Sequence, residues 1–376
     1  MPQQIFVDKS DILWHGGHAR IAMESHLETM NAVIFHGKGD VRYERAPLPV
    51  CRAGELRVKV DACAVCGSDF KTFNNGNPRM KPPIIMGHEF TGAIETVGEG
   101  VTGFAVGERI VMATSISCGQ CFYCLKGWSN LCAKLDPMGF SYPGGMAEYV
   151  IVPAVAIRNG HVVKVPAGIP PEHAALAEPM SCAVNCVENC RIRGGETVVV
   201  VGAGPLGILN LYAARAAGAS KLILAQRAGK RLDQAAAFSC DRLVNTTTED
   251  LVAVVRSETG GVGADAVIVA APDASAQEKA LDLVHKRGSV CLFASLPVGA
   301  SVLSLDSRKI HYNELFICGA SDSTAAQVTR AVALLAQPDF PGCSIANPIM
   351  ALADIQKAFA AMDAREGMRV VLRPQE

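Results

Sequence analysis

Apolar positions fall along the chain in two regimes. From Asn31 to about Val152 they come in short runs broken by Gly and Pro: Asn31–Phe35, the alternating Leu56–Val60, Thr91–Val97, Glu108–Met112 and Ala147–Val152. Many short strands with frequent turns predict a compact β-rich barrel or sandwich. After Pro166 the runs lengthen. A helical stretch begins near Glu172, and Val198–Val201 is continuously apolar, as a parallel strand buried on both faces requires. An Ala-rich helix over Leu206–Ala217 and a second strand over Lys221–Ala225 follow. Alternation through Ala264–Ala270, Lys279–His285, Ser289–Ala294 and Leu315–Gly319 predicts a doubly wound sheet. Thr324–Ala336 and Asp354–Met362 read as helices and Arg369–Leu372 as a last strand, all expected to return to the first domain. Residues 1–29 hold no period and read as an appendage outside the fold, or as a short partner-binding arm.

Composition narrows the class. A chain of 376 residues suggests two domains. A formal net charge of −1, with no basic run interleaved with aromatics, gives no argument for nucleic acid. No apolar run approaches the ~20 residues of a membrane span. Fourteen cysteines in so long a chain, without a signal-peptide pattern, point to reduced thiols and metal ligands in the cytoplasm rather than disulfides.

Two cysteine-bearing stretches carry candidate chemistry. In the first, Cys66-Gly-Ser68-Asp69 is followed by Gly87-His88-Glu89. Thiolate, imidazole and carboxylate together suit zinc, and Asp69 is placed to accept from the free ring nitrogen of His88. A buried thiol beside an ordinary loop histidine is the plainer reading, and Cys63-Ala-Val-Cys66 is open to a thiol–disulfide reading. The second stretch is more specific. Cys118, Cys121, Cys124 and Cys132 supply the four thiolates of a closed tetrahedral zinc site.

The turn Gly202-Ala-Gly204-Pro205-Leu206-Gly207 joins a strand to a helix, the context that gives a glycine-rich motif meaning. Gly202 permits the tight turn, Gly204 lets the backbone approach a pyrophosphate, and Gly207 allows close packing of helix on strand. The helix N-terminus offers its amides to the phosphates. At the tip of the second strand stands Gln226, where an NAD-binding site of this kind carries a carboxylate, and Arg227, Lys230 and Arg231 follow. NADP(H) is therefore expected in preference to NAD(H), with Arg227 and Arg231 as phosphate partners.

With these motifs in place, the chain from about Asn31 onward resembles the zinc-dependent medium-chain dehydrogenase/reductases, and most closely the polyol branch typified by sorbitol (L-iditol) 2-dehydrogenase. The resemblance implies an α/β molecule: a GroES-like catalytic domain over 30–180 and 321–376, interrupted by a Rossmann domain over 181–320. It implies that Cys66, His88 and Glu89 hold a catalytic zinc, with Glu178 of the Glu178-Pro179 pair ligating the metal or holding its water; Cys182 is the competing candidate. It implies a second, structural zinc, an alcohol or polyol substrate, and a homo-oligomer, tetramer or dimer. Two departures stand out. Lys71 occupies the position where many relatives have a proton-relaying histidine, so proton exit is expected through Ser68 and water or through Glu89. The four-cysteine loop is intact, whereas some polyol dehydrogenases have lost it, which leaves the substrate open. Simple alcohols, or a non-catalytic relative that keeps the fold, are the alternatives.

Overall fold

The computed structural model describes residues 28–376, so the reading of the leader falls, but for its last two residues, outside the described residues. Its first strand, Thr29–Gly37, already includes Thr29 and Met30.

Two sheets dominate. The first takes the strands Val162–Lys164, Arg109–Met112, Glu89–Val97, Leu56–Ala64, Arg369–Arg373 and Ala346–Ala351 in that spatial order, with Tyr149–Val152 also pairing with Leu56–Ala64. A smaller sheet (Asp40–Pro47, Thr29–Gly37, Ile84–Ile85) closes beside it. Their inward residues, among them Phe35, Leu56, Val58, Ile94 and Leu372, form one apolar core. This is the GroES-like part. The chain's end is built into its middle: Arg369–Arg373 lies between Leu56–Ala64 and Ala346–Ala351, with Val371 opposite Ala64.

The second sheet is parallel throughout, in the order Arg242–Asn245, Lys221–Gln226, Thr197–Val201, Ala264–Val269, Val284–Leu292, Phe316–Gly319. Numbered along the chain, that is 3-2-1-4-5-6, the dinucleotide-binding arrangement whose ligand crevice lies where the order reverses. Val198, Val199 and Val200 are wholly buried, as helices cover both faces.

One expectation needs correction. Lys279–His285 and Ser289–Ala294 are not separate regular elements; a helix Ala274–Lys279 and a short 3-10 turn lead into a single strand, Val284–Leu292. Its pairing with Ala264–Val269 shifts register between Ala264 and Ala266, and this irregularity hides the strand's continuity from a period-2 reading.

The helix Ala177–Asn189 runs unbroken through the expected boundary at 180/181. Together with Ala325–Leu335 and Pro205–Ala216 it fills an apolar core that also contains Ala62, Ala64 and Val111 of the first sheet. Among the described residues, no helix is long and apolar enough to cross a membrane.

Candidate active site

Cys66 follows the strand Leu56–Ala64 and caps the helix Gly67–Asn75; its backbone N–H donates to Asp69 Oδ2 at 2.9 Å. His88 immediately precedes, and Glu89 opens, the neighbouring strand Glu89–Val97. The turn before them requires glycine: Gly87 has φ +97°, and a Cβ there would stand 2.6 Å from Met146 Cγ and 2.8 Å from Cys63 Sγ. These constraints bring the donor atoms of Cys66, His88 and Glu89 within 4.8 Å of one another.

His88 is buried. Its Nε2 lies 3.5 Å from Ser68 Oγ and 3.9 Å from Glu89 Oε1, while Nδ1 faces Asp69 Oδ1 at 3.7 Å. Nδ1 has no hydrogen-bond partner, leaving a buried polar atom turned to a carboxylate. Burial opposes protonation of the ring, but the negative charge of Asp69, Cys66 and Glu178 outweighs it and raises its pKa well above the ordinary value. The site thus concentrates negative charge around a soft donor set, and a zinc ion fits both the charge and the chemistry.

Glu89 is fully buried and gripped by Arg369, whose Nε donates to Oε2 at 2.9 Å and whose Nη2 reaches Oε1. Sequence reasoning missed Arg369. The only signal was a charged residue heading the buried run Val370-Val371-Leu372.

Glu178, in the first turn of Ala177–Asn189, lines the same cavity of about 330 Å³ as Cys66, His88 and Glu89 but lies outside the tight three-residue group. Burial and the nearby Glu89 push its pKa up to about 7. Cys182, one turn on, donates its thiol to Glu178 Oε1 at 3.5 Å, and burial holds it protonated well above the usual range. The Cys182 thiol is turned onto Glu178 rather than onto the donor group, which favours Glu178 over Cys182 as the further donor of this cavity. Ser68, Arg79 and Phe140 complete this wall, and the Arg79 guanidinium lies 5.1 Å over the Phe140 ring. Neither Arg79 nor Phe140 belongs to a recognisable motif.

The four thiols of the second stretch converge. Cys118–Cys124, Cys121–Cys124 and Cys121–Cys132 sulfurs lie 4.0, 3.5 and 3.8 Å apart. A zinc tetrahedron with bonds of ~2.3 Å has edges of about 3.8 Å. Backbone N–H groups of Cys118 and Lys134 donate to Cys132 Sγ at 3.3 Å each. Backbone donors at Cys124 and Ala133 draw the Cys121 pKa down to about 6. The loop fits a structural zinc.

On the parallel sheet, Gly202 adopts φ +107°, and a Cβ on Gly207 would stand 1.8 Å from the Gly202 carbonyl oxygen. Gly204, Pro205, Leu206 and Gly207 line a cleft of about 410 Å³ with Cys66, Ser68, Lys71, Arg231 and Arg369. Gln226 and Arg227 line a separate cleft of about 680 Å³ beyond Gly202. Gln226 Oε1 accepts the Ala203 N–H at 2.9 Å and so braces the glycine turn. Arg227 is 76% exposed, with only a 3.9 Å approach to Asp273. Arg231 does not join it: its Nη1 donates to Gln234 Oε1 at 2.8 Å and to the Gly367 carbonyl at 2.7 Å, within the other cleft. Arg227 lies in the turn after Lys221–Gln226, whereas Arg231 stands in the first turn of the helix Lys230–Ala235, and the two face different clefts.

Comparison with known proteins agrees with this architecture. Residues 52–167 match the alcohol dehydrogenase GroES-like domain, and 205–337 the zinc-binding dehydrogenase domain. A sorbitol dehydrogenase of Halalkalibacterium halodurans is 31% identical over 344 residues, covering 90% of this chain and 97% of that protein. An erythritol/L-threitol dehydrogenase of Mycolicibacterium smegmatis is 34% identical over 275 residues, covering 69% and 75%. A crystal structure described as a zinc-binding dehydrogenase from Sinorhizobium meliloti bound to NADP superposes with TM-score 0.84 at 29% identity, covering 92% of this chain and all of that one. With its two matched domains and near-full-length relatives, the chain belongs to the zinc-dependent medium-chain dehydrogenase/reductases, in the branch of the polyol dehydrogenases, and is a zinc- and nicotinamide-dependent alcohol dehydrogenase.

Proposed function

We propose that the protein oxidises a secondary hydroxyl of a polyol or sugar derivative, with Cys66, His88 and Glu89 as zinc ligands, Glu178 beside them and NADP as the preferred hydride acceptor. One observation carries the reading: the donor cavity and the cleft of Gly204–Gly207 share the walls Cys66, Ser68, Leu206, Phe293 and Arg369. When bound, zinc supplies Lewis acidity to an alcohol oxygen and the nicotinamide accepts hydride.

The protein's residues do the rest. Leu206 and Phe293 bound the passage between the two clefts and exclude water from the reacting carbon. Arg369 donates to both Glu89 oxygens, which leaves each a lone pair for a metal but makes that carboxylate a poor proton relay. Ser68 borders both clefts and passes the alcohol proton outward through water. Glu178 lines the donor cavity and is placed to hold the substrate hydroxyl or a water there.

Ser68, Ser115, Ser295, Ser321 and Asp322 set hydroxyl-binding groups among the apolar residues of the substrate wall, which supports a polyhydroxy substrate over simple alcohols. Arg79 favours a polyhydroxy acid within that class. Exposed Phe122, Leu125, Trp128 and Leu131 around the four-cysteine loop support a homo-oligomer. The absence of a carboxylate at Gln226 and the free arm of Arg227 support NADP, as does the NADP-bound relative.

The test is a panel of polyols, sugar acids and primary alcohols, scored by NADP reduction with the zinc-loaded protein. Highest kcat/KM on a secondary hydroxyl of a polyol or sugar acid is expected, with turnover and one zinc lost in Cys66→Ser while cofactor binding persists. Equal turnover on ethanol, or an active Cys66→Ser, overturns it.

A further inference from the structure

Four cysteines that take no part in either zinc site meet in the core beneath the parallel sheet. Cys186 and Cys190 lie one turn apart on the helix Ala177–Asn189, with Cys190 at its C-cap. Facing them, Cys291 and Cys318 are register partners on the adjacent parallel strands Val284–Leu292 and Phe316–Gly319, and so project from the same face. The sulfurs of Cys186, Cys190 and Cys291 all lie within 4.8 Å of one another, with Cys186 and Cys291 at 3.3 Å. Cys318, the register partner of Cys291, stands at the edge of this group. Cys186, Cys190 and Cys291 are 0%, 2% and 0% exposed; Cys318 is half-buried and forms the open side. No carboxylate or imidazole belongs to the group.

We infer that Cys186, Cys190 and Cys291, with Cys318 at the entrance, form a third metal site, selective for a monovalent thiophilic ion of the Cu(I) class.

An all-sulfur donor set rejects hard cations and selects soft ones. Ligand count then chooses among the soft ions. A structural zinc needs four ligands, and among the described residues only three sulfurs of this cluster lie within 4.8 Å of one another, with Cys318 outside that group. A monovalent ion of the Cu(I) class is satisfied by two or three sulfurs. The thiolates that hold it leave negative charge in the core, and Arg191, next to Cys190, is a neighbouring cation: its guanidinium lies 4.2 Å over the ring of Phe316, two residues from Cys318. Each thiol that ligates releases its proton to solvent, so uptake is tighter at higher pH. The alternative is four thiols acting only as small apolar fillers, which would bind nothing.

The experiment uses zinc-loaded protein, kept anaerobic and titrated with Cu(I) from a chromogenic chelator, while a second dye reports released zinc. The wild type should withdraw one Cu(I) per chain with no zinc released. Cys186→Ala/Cys291→Ala should lose that uptake by at least a hundredfold while keeping two zinc ions and wild-type NADPH binding. Should the double variant fail to fold, Cys186→Ser serves, and undiminished uptake by it overturns the site. Copper taken up only as zinc leaves, or equally by wild type and double variant, overturns it as well. A third zinc in the isolated protein that is lost with Cys186 would overturn the monovalent assignment.

Discussion

The Glu89–Arg369 pair sets a measurable stake on the last strand of the chain. Glu89 is wholly buried and Arg369 is 6% exposed, so neither charge can turn to water if its partner is lost. In Arg369→Leu the carboxylate remains inside an apolar sheet with Glu178 nearby. Removing one partner of a buried pair costs ~3–5 kcal/mol, most of it the desolvation of the charge left behind. For a domain of this size that corresponds to a melting temperature lower by roughly 6–20 °C. Arg369→Lys keeps the charge but not the fork that meets both carboxylate oxygens, and should fall between. The informative variant is the double one, Glu89→Gln/Arg369→Leu, which removes the stranded charge and should recover most of the lost stability. Melting is followed by circular dichroism on zinc-stripped protein, since a bound zinc would itself balance the Glu89 charge and its affinity would change in Glu89→Gln. A drop below about 2 °C in Arg369→Leu, or a double variant no more stable than it, would refute the reasoning.

Arg227→Ala removes one charge-assisted contact of ~1.5–3 kcal/mol and should weaken NADPH binding roughly ten- to a hundredfold with little effect on NADH, read by nucleotide fluorescence; tighter NADH than NADPH binding by the wild type sinks the assignment. Cys121→Ser should lower the melting temperature and release one zinc while the second stays bound, and an unchanged melt would show the loop to be dispensable. His161 supplies a pH test: burial lowers its pKa below the ordinary 6.5, and the neutral ring accepts the Ser117 N–H at 3.2 Å while Nδ1 pairs with the Ala113 carbonyl at 3.0 Å. Below pH 6.5 the unfolded chain therefore binds a proton that the folded chain refuses, so stability falls as pH drops from 6.5 toward the depressed pKa. The slope of melting temperature against pH in that window should be shallower in His161→Gln, and identical slopes count against it.

What could be read from the sequence was local. The four-cysteine loop packs its ligands into fifteen residues, and Gly202–Gly207 is one turn whose backbone demands are written in its glycines. Arg369 could not be read, because its partner lies 280 residues away and only the fold joins them. The cluster of Cys186, Cys190, Cys291 and Cys318 escaped for the same reason: two unremarkable pairs on distant elements. Arg231 lines the cleft of Gly204–Gly207 rather than that of Arg227, because it stands on the helix Lys230–Ala235 and Arg227 in the turn before it. The strand Val284–Leu292 was split because its irregular pairing breaks the alternation on which strand reading depends.

The position of Arg369–Arg373 also fixes an order of assembly. During synthesis Glu89 leaves the ribosome 280 residues ahead of its counter-ion, a wait of roughly 15–55 s at ~5–20 residues per second. Throughout it, the Cys63–Ala64 end of the strand Leu56–Ala64 lacks its neighbour and presents an open edge, a hazard for pairing with other nascent chains. The parallel sheet, drawn from residues 197–319, has all its strands about 50 residues, or roughly 2.5–10 s, before that. The intervening domain is thus free to fold first, and the catalytic half must be sheltered until the ribosome releases the strand that completes it.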